Sequence, residues 1–140
     1  SHEYHYEATS HMRLFCKKLN ATLILCCHPN TEALRKIHYK GHPMEGHPIP
    51  PMASDIEGGG KFVNRADELL CIHRYTQHET EWVFSQIHVR KIKDMESGGR
   101  PTPLENPIRL QSMKGNVGYY IGHKSLINLP KPKTDSDVPF

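Results

Sequence analysis

The sequence has no apolar run near the roughly 20 residues needed to cross a bilayer; its longest, Ala21–Cys27, is already broken by Thr22. A membrane-spanning helix is therefore not expected. The opening Ser1-His2-Glu3-Tyr4 lacks the basic-then-apolar layout of an export signal, which points to a cytoplasmic protein. No Cys-x-x-Cys pair occurs among the four cysteines, Cys16, Cys26, Cys27 and Cys71. Free cysteine packs as a small hydrophobe, so reduced, buried thiols are expected rather than disulfides. Charge of one sign is scarce as well: 18 Lys and Arg against 15 Asp and Glu leave a formal +3. A steep basic excess is the mark of many polyanion binders, so nucleic-acid binding here has to rest on local patches. No GxxxxGK[ST] is present, which excludes a phosphate-cradling loop of that kind in these residues. No internal repeat is visible.

What is present is a chain of 140 residues, 36% hydrophobic, enough for one domain with a real core. Apolar residues at Tyr4, Ala8, Met12, Phe15 and Leu19 recur every three or four positions and predict a helix over 4–19 that ends at Asn20 in a left-handed conformation. Ala21–Cys27 is too short for a second helix and predicts a strand covered on both faces, as in parallel α/β sheets. Residues 29–54 carry Pro43, Pro48, Pro50 and Pro51 and read as one long loop, a length that is usually functional or disordered. A short helix is expected over 55–65 with Asp55 as its N-cap, weakened by Gly58–Gly60. Leu69–His73 predicts a strand. Residues 81–91 alternate, with Val83, Ser85, Ile87 and Val89 on one face and Trp82, Phe84, Gln86 and His88 on the other. Ile108–Met113 and Val117–Ile121 predict a hairpin around Lys114-Gly115-Asn116. Residues 1–128 thus read as one domain and 129–140 as a flexible acidic tail.

Three segments carry chemistry. The first ends in Leu23-Ile-Leu-Cys-Cys-His28-Pro29-Asn30, and a polar residue at the carboxyl end of a buried parallel strand stands where open α/β sheets bind ligands. His28 there is either a hydrogen-bond donor to a phosphate oxygen or a simple cap on the strand end. The second runs from Asp55-Ile-Glu-Gly-Gly-Gly through Arg65-Ala-Asp67-Glu-Leu-Leu-Cys-Ile-His-Arg74. The third ends in Lys91-Ile-Lys93, two cations two residues apart and hence on one face. They either meet an anion or form a basic edge that discourages strand pairing.

In this order the three segments resemble the back half of the motor domain of DnaB-type and Twinkle-type replicative DNA helicases, over about residues 1 to 122. The opening Ser1-His2-Glu3 and Tyr6 resemble the stretch that follows that family's Walker B region. The resemblance implies an α/β fold, part of a RecA-like P-loop NTPase core with a mostly parallel sheet and a C-terminal β-hairpin. It implies that His28 senses the γ-phosphate. Lys91 and Lys93 would reach in trans into a neighbouring subunit's ATP site and stabilise charge on the transferring phosphoryl group. Ser97-Gly98-Gly99 take the place of the family's glycine-containing turn, which puts Gly98 and Gly99 at the nucleotide. The long loop, with Arg35, Lys36, His38, Tyr39 and Lys40, falls where this family contacts single-stranded DNA; a basic strip follows phosphates and Tyr39 offers a stacking surface. The complete protein is expected to use ATP and Mg2+ and to assemble as a homo-oligomeric, hexamer-type ring. Three features depart from the pattern: Lys93 replaces an arginine, a point charge in place of a planar fork; the Walker A motif is absent; and the Walker B aspartate and catalytic glutamate would lie upstream. This chain alone is expected to bind no nucleotide and to be inactive as an ATPase.

The tip Asp135-Ser-Asp-Val-Pro-Phe140 resembles the acidic end of bacterial single-stranded-DNA-binding proteins, which implies docking of a replication partner; a plain disordered tail is the other reading. Two further functions stay open. One is a non-catalytic adaptor or paralogue of RecA-like type in replication or recombination. The other is a metal-dependent nuclease or nucleic-acid-binding module built on Cys26, Cys27, His28, His42, His47 and His73. Adjacent cysteines in a strand point to opposite faces, which disfavours a shared metal, and no metal ligand is assigned.

Overall fold

An 18-residue helix, α1 (His2–Leu19), opens the described part of this computed structural model, residues 2–127. The tail from Pro130 and the Asp135–Phe140 tip lie outside the described residues. Lys17 and Lys18 occupy the last turn, where the helix dipole favours cations. Asn20 follows at φ 50°, the left-handed ending expected from its side chain. The apolar stripe does not face a core, however. Tyr4, Phe15 and Leu19 are exposed, and α1 is held by its other features. His5 meets Phe62 edge-on at 5.8 Å, and Arg13 donates to the Arg65 carbonyl at 3.1 Å.

Ala21–Cys27 departs from expectation most clearly. The segment is not a strand: its first bridge to another segment is Pro29 to Ile56, beyond its end. Leu23, Ile24 and Leu25 are exposed, Ile24 at 83%. A fully buried strand needs neighbours on both edges and cover on both faces; among the described residues no strand pairs with this segment, and α1 only flanks Leu23, sharing a surface cleft with it. Cys26 and Cys27 are exposed with it, so these two thiols are free but not buried, while Cys16 and Cys71 are half-buried.

The sheet is antiparallel throughout, which corrects the expectation of a partial RecA-like core with a mostly parallel sheet. Strands β1 (Glu68–His73), β2 (Phe84–Ile92), β3 (Ile108–Ser112), β4 (Tyr119–Ile121) and β5 (Lys124–Ser125) pair in sequence order as a meander. The absence of a crossover helix explains this. A parallel pair needs a crossover of a dozen or more residues, usually a helix packed on the sheet. Residues 74–83 hold one 3-10 turn, and residues 93–107 hold a single four-residue helix, α3 (Met95–Gly98). Neither spans a crossover, so each strand turns back on its predecessor. The hairpin around Lys114-Gly115-Asn116 is formed, with Gly115 at φ 80° and Asn116 at φ 55° making the reversal.

Helix α2 (Gly60–Arg65) is shorter than expected and begins after Gly59, at φ 71°. Asp55 is not its N-cap. It ends a 3-10 turn (Ala53–Asp55) and its carboxylate turns back to accept from the Met52 N–H at 2.8 Å. Between Leu69 and Leu70 the β1–β2 register slips, leaving Arg90 as the extra residue of a bulge. On β2 the face bearing Gln86 and His88 is buried, with His88 1% exposed. Paired across from them on β1 are His73 and Cys71. The covered face of the sheet is therefore polar, and what covers it is the long loop.

Candidate functional site

The loop is ordered by bonds at its root, middle and end. At the root the Asn30 N–H donates to the Asp55 carbonyl (2.7 Å) and the Glu57 N–H to the His28 carbonyl (3.1 Å). Asn30 also accepts from the Ala33 N–H through Oδ1 at 2.8 Å, an Asx turn that starts the 3-10 segment Ala33–Arg35. In the middle, Lys36–His38 runs against Glu45–Ile49, with the His38 N–H on the His47 carbonyl (2.9 Å) and the Ile49 N–H on the Lys36 carbonyl (3.0 Å). Glu45 closes the tip by accepting from the Gly41 N–H at 2.8 Å. At the end, the bulge aims Arg90 at the chain, and its guanidinium donates to the Pro51 and Pro50 carbonyls at 3.0 and 3.2 Å. Those two carbonyls belong to a proline pair that cannot offer N–H groups to a ladder.

Asp55 ties root and middle together. Its buried carboxylate receives the Lys36 ammonium at 2.8 Å as well as the Met52 N–H, and these bonds hold its pKa below the usual carboxylate value.

Between loop and sheet lies a layer of imidazoles around Tyr75. The Tyr75 hydroxyl and His38 Nε2 are 2.9 Å apart. His42 stacks on His38 with centroids 3.9 Å apart and planes within 9°. His47 and His73 approach Tyr75 edge-on. The Met44 N–H donates to His42 Nδ1 (2.9 Å), so its proton sits on Nε2 and is donated to Glu105 at 3.1 Å. His73 Nε2 and His88 Nδ1 are buried without a partner. A bare lone pair is cheaper to bury than an orphaned charge, and burial accordingly lowers both pKa values to about 4. Burial, and then the neighbouring His42, lowers that of His38.

Of the DNA-side residues named from the sequence, Arg35, Tyr39 and Lys40 face outward, Tyr39 at 72% exposure. The other two are engaged inward: His38 is buried on Tyr75, and the Lys36 ammonium is held by Asp55. His28 is exposed at the loop's root. The structure treats the Lys91 and Lys93 pair unequally. Lys91 donates to the Val63 and Ala66 carbonyls at 2.6 and 2.9 Å, capping the end of α2. Lys93 follows the end of β2 with its side chain 54% exposed, 3.8 Å from Asp67 Oδ1. Gly98 closes α3 against Ile92, where a Cβ would meet Ile92 Cγ2 at 2.8 Å, and Gly99 ends that helix at φ 85°. Asp67, Lys93 and Gly98 line one cleft.

Among the described residues no group of three or more His, Cys, Asp or Glu side chains is arranged to hold a metal ion. The six candidates do not converge: Cys26, Cys27 and His28 are exposed at the loop's root, whereas His47 and His73 pack on Tyr75 and His42 stacks on His38. No described helix is long and apolar enough to cross a membrane. Sequence reasoning missed Tyr75, Arg90, Glu105 and Arg13. The density of histidine in residues 38–47 was the available signal for a buried imidazole layer, but its partners are distant in sequence. No family model, curated protein or solved structure matches the chain.

Proposed function

We propose that this chain supplies the C-terminal part of an ATP-dependent replicative helicase of the DnaB/Twinkle type, contributing the γ-phosphate sensor, the DNA-side loop and a trans finger. One observation carries the reading. His28 stands at the root of the loop and shares that root with Asp55–Glu57, while the far face of the same loop presents Arg35, Tyr39 and Lys40. A displacement at the His28 backbone passes through the hydrogen bonds to residues 55–57 into the loop. That is what coupling phosphate loss to movement along DNA requires.

Within this reading the residues take distinct roles. Arg35 and Lys40 contact phosphates, Tyr39 stacks on a base, and Lys36 and His38 hold the loop's shape from within. Lys93 is the finger, and Lys91 steadies α2 behind it. No GxxxxGK[ST] occurs in the sequence, so in this reading ATP and Mg2+ belong to the complete ring, whose chemistry is phosphoryl transfer; the share of these residues is electrostatic and positional. A non-catalytic adaptor would keep the loop and dispense with Lys93. The metal-dependent reading has the weaker support, because its candidate ligands are divided between two places.

Binding of a fluorescent single-stranded oligonucleotide, measured against salt, tests the loop. Arg35→Ala and Lys40→Ala are each expected to lower the salt slope by about one ion, and Tyr39→Ala to cost about 1–3 kcal/mol. Affinities unchanged in all three variants would sink the DNA reading. In the complete protein, Lys93→Ala should abolish most ATP turnover; an adaptor would show none to lose.

A further inference from the structure

His38 and His42 lie ring on ring under the tip of the loop, with centroids 3.9 Å apart and planes within 9°. Their side chains are buried, although most of residues 39–46 around them are exposed. Both rings use their nitrogens in ways that a further proton disturbs. His42 accepts from the Met44 N–H through Nδ1 at 2.9 Å and donates from Nε2 to Glu105 at 3.1 Å. A second proton on this ring has to go to Nδ1, where it removes the acceptor that folds Met44 back. His38 Nε2 meets the Tyr75 hydroxyl at 2.9 Å, and a charge on that ring lies one ring's thickness from His42.

The surroundings do little to offset such a charge. Around His38 stand His42 and His47 from the loop, His73 from β1, Tyr75 just beyond it, and Glu105 from the β2–β3 connection. His88 and Arg90 of β2 lie near His73 in the same layer. Glu105 is the carboxylate of the group, but it is bonded to His42 and its side chain is 77% exposed, so water and salt screen it. Burial, and then His42, hold His38 below its ordinary 6.5. A tip lifted into water has no such penalty and binds the proton first. The closed tip is therefore fully stable above about pH 6.5 and loses stability as pH falls below it.

The other anchors of the loop do not share this sensitivity. The root bonds, from Asn30 to Asp55 and from Glu57 to His28, join backbone groups. Lys36 pairs with Asp55, whose pKa is lowered, and Arg90 holds the Pro50 and Pro51 carbonyls with its guanidinium. Across the tip itself run the bonds from the His38 N–H to the His47 carbonyl and from the Gly46 N–H to the His38 carbonyl.

We propose that the His38–His42 stack is an acid-operated latch: a proton taken up by the stack parts the two rings and releases residues 39–47 from Tyr75, while the loop's root, the Arg90 tether and the sheet stay folded. The device stands whether or not Arg35, Tyr39 and Lys40 meet DNA.

Amide hydrogen exchange of the full chain, corrected for the intrinsic pH dependence of exchange, tests the latch beside an NMR titration of the histidine rings, both from about pH 7.5 to 5.5. The opening constant at the His38 and Gly46 amides is expected to rise about tenfold per pH unit below about pH 6.5, the slope for one proton. The Asn30 and Glu57 amides at the root and the β1–β2 ladder should keep their protection over that range. Combining His38→Gln with His42→Gln should lower the tip's slope by one proton. Tyr75→Phe removes the hydroxyl and leaves both rings, so it should raise opening at every pH with the slope retained. The latch is overturned if tip, root and ladder lose protection together, if the tip's protection does not change with pH, or if the double variant keeps the wild-type slope. Should the double variant be open already at neutral pH, the wild type decides. Its His38 or His42 ring must titrate over the same range as the tip opens, and rings that titrate while the tip stays protected overturn the latch.

Discussion

At the scale of single residues the buried polar groups set the behaviour. Asp55 is buried with a cation and an N–H on its carboxylate. Asp55→Ala leaves Lys36 and Met52 without their acceptor and is expected to lower unfolding stability by about 2 kcal/mol in urea titrations. The histidines respond to acid. His73 and His88 fall to about 4 from an ordinary value near 6.5, each a base whose neutral form the fold favours. The unfolded chain binds their protons first, so their stabilisation is complete above about pH 6.5 and is lost as pH falls toward 4. Asp55, with its pKa lowered, loses its contribution in the same direction but further into acid. Stability measured against pH should therefore decline from about 6.5 downward. His73→Phe should flatten that limb by about one proton's slope, about 1.4 kcal/mol per pH unit; an unchanged slope would show that His73 is not held neutral. None of these partnerships was legible in the sequence, because each joins residues from different elements.

At the scale of elements the informative contrast is between local and remote instructions. The α1 periodicity, the left-handed Asn20 and the Lys114-Gly115-Asn116 reversal are all short-range signals, and each has its counterpart in the structure. The loop is the opposite case. Its prolines and glycines mark a long irregular segment, but its conformation depends on Arg90 reaching two proline carbonyls and on Tyr75 meeting His38. Arg90→Met keeps the stem and removes the donors. It should raise hydrogen exchange at the His38 and Ile49 amides and speed proteolysis within 39–48, at a cost of about 1–3 kcal/mol. Protection unchanged from wild type would mean that the root alone holds the loop. The candidate site divides in the same way. Exposure of Arg35, Tyr39 and Lys40 follows from their place on the outer side of the loop, whereas Lys91 differs from Lys93 because the end of α2 lies under one of them.

At the scale of the whole molecule the described residues leave many large apolar side chains exposed and bury few. Leu23, Ile24 and Leu25 form an exposed apolar segment paired with no strand, and Met12, Leu14 and Phe15 of α1 line a surface cleft with Leu23. Patches of this kind drive association. Sedimentation at rising concentration should show self-association, and Ile24→Lys should reduce it while leaving unfolding stability within about 0.5 kcal/mol. A monomer at all concentrations would remove that expectation. By itself the sequence determined the position of α1, the reversal at Lys114-Gly115-Asn116 and the approximate places of β1 to β4, since hydrophobic period, left-handed residues and chain reversals act over a few positions. Tertiary structure decided that the sheet is antiparallel, that Ala21–Cys27 lies unpaired, and that histidines rather than aliphatic side chains fill the space beneath the loop. Strand direction depends on which strands are neighbours and on whether a crossover joins them. Buried imidazoles depend on acceptors and rings that converge only when distant residues meet, and a single chain of letters does not encode those distances locally.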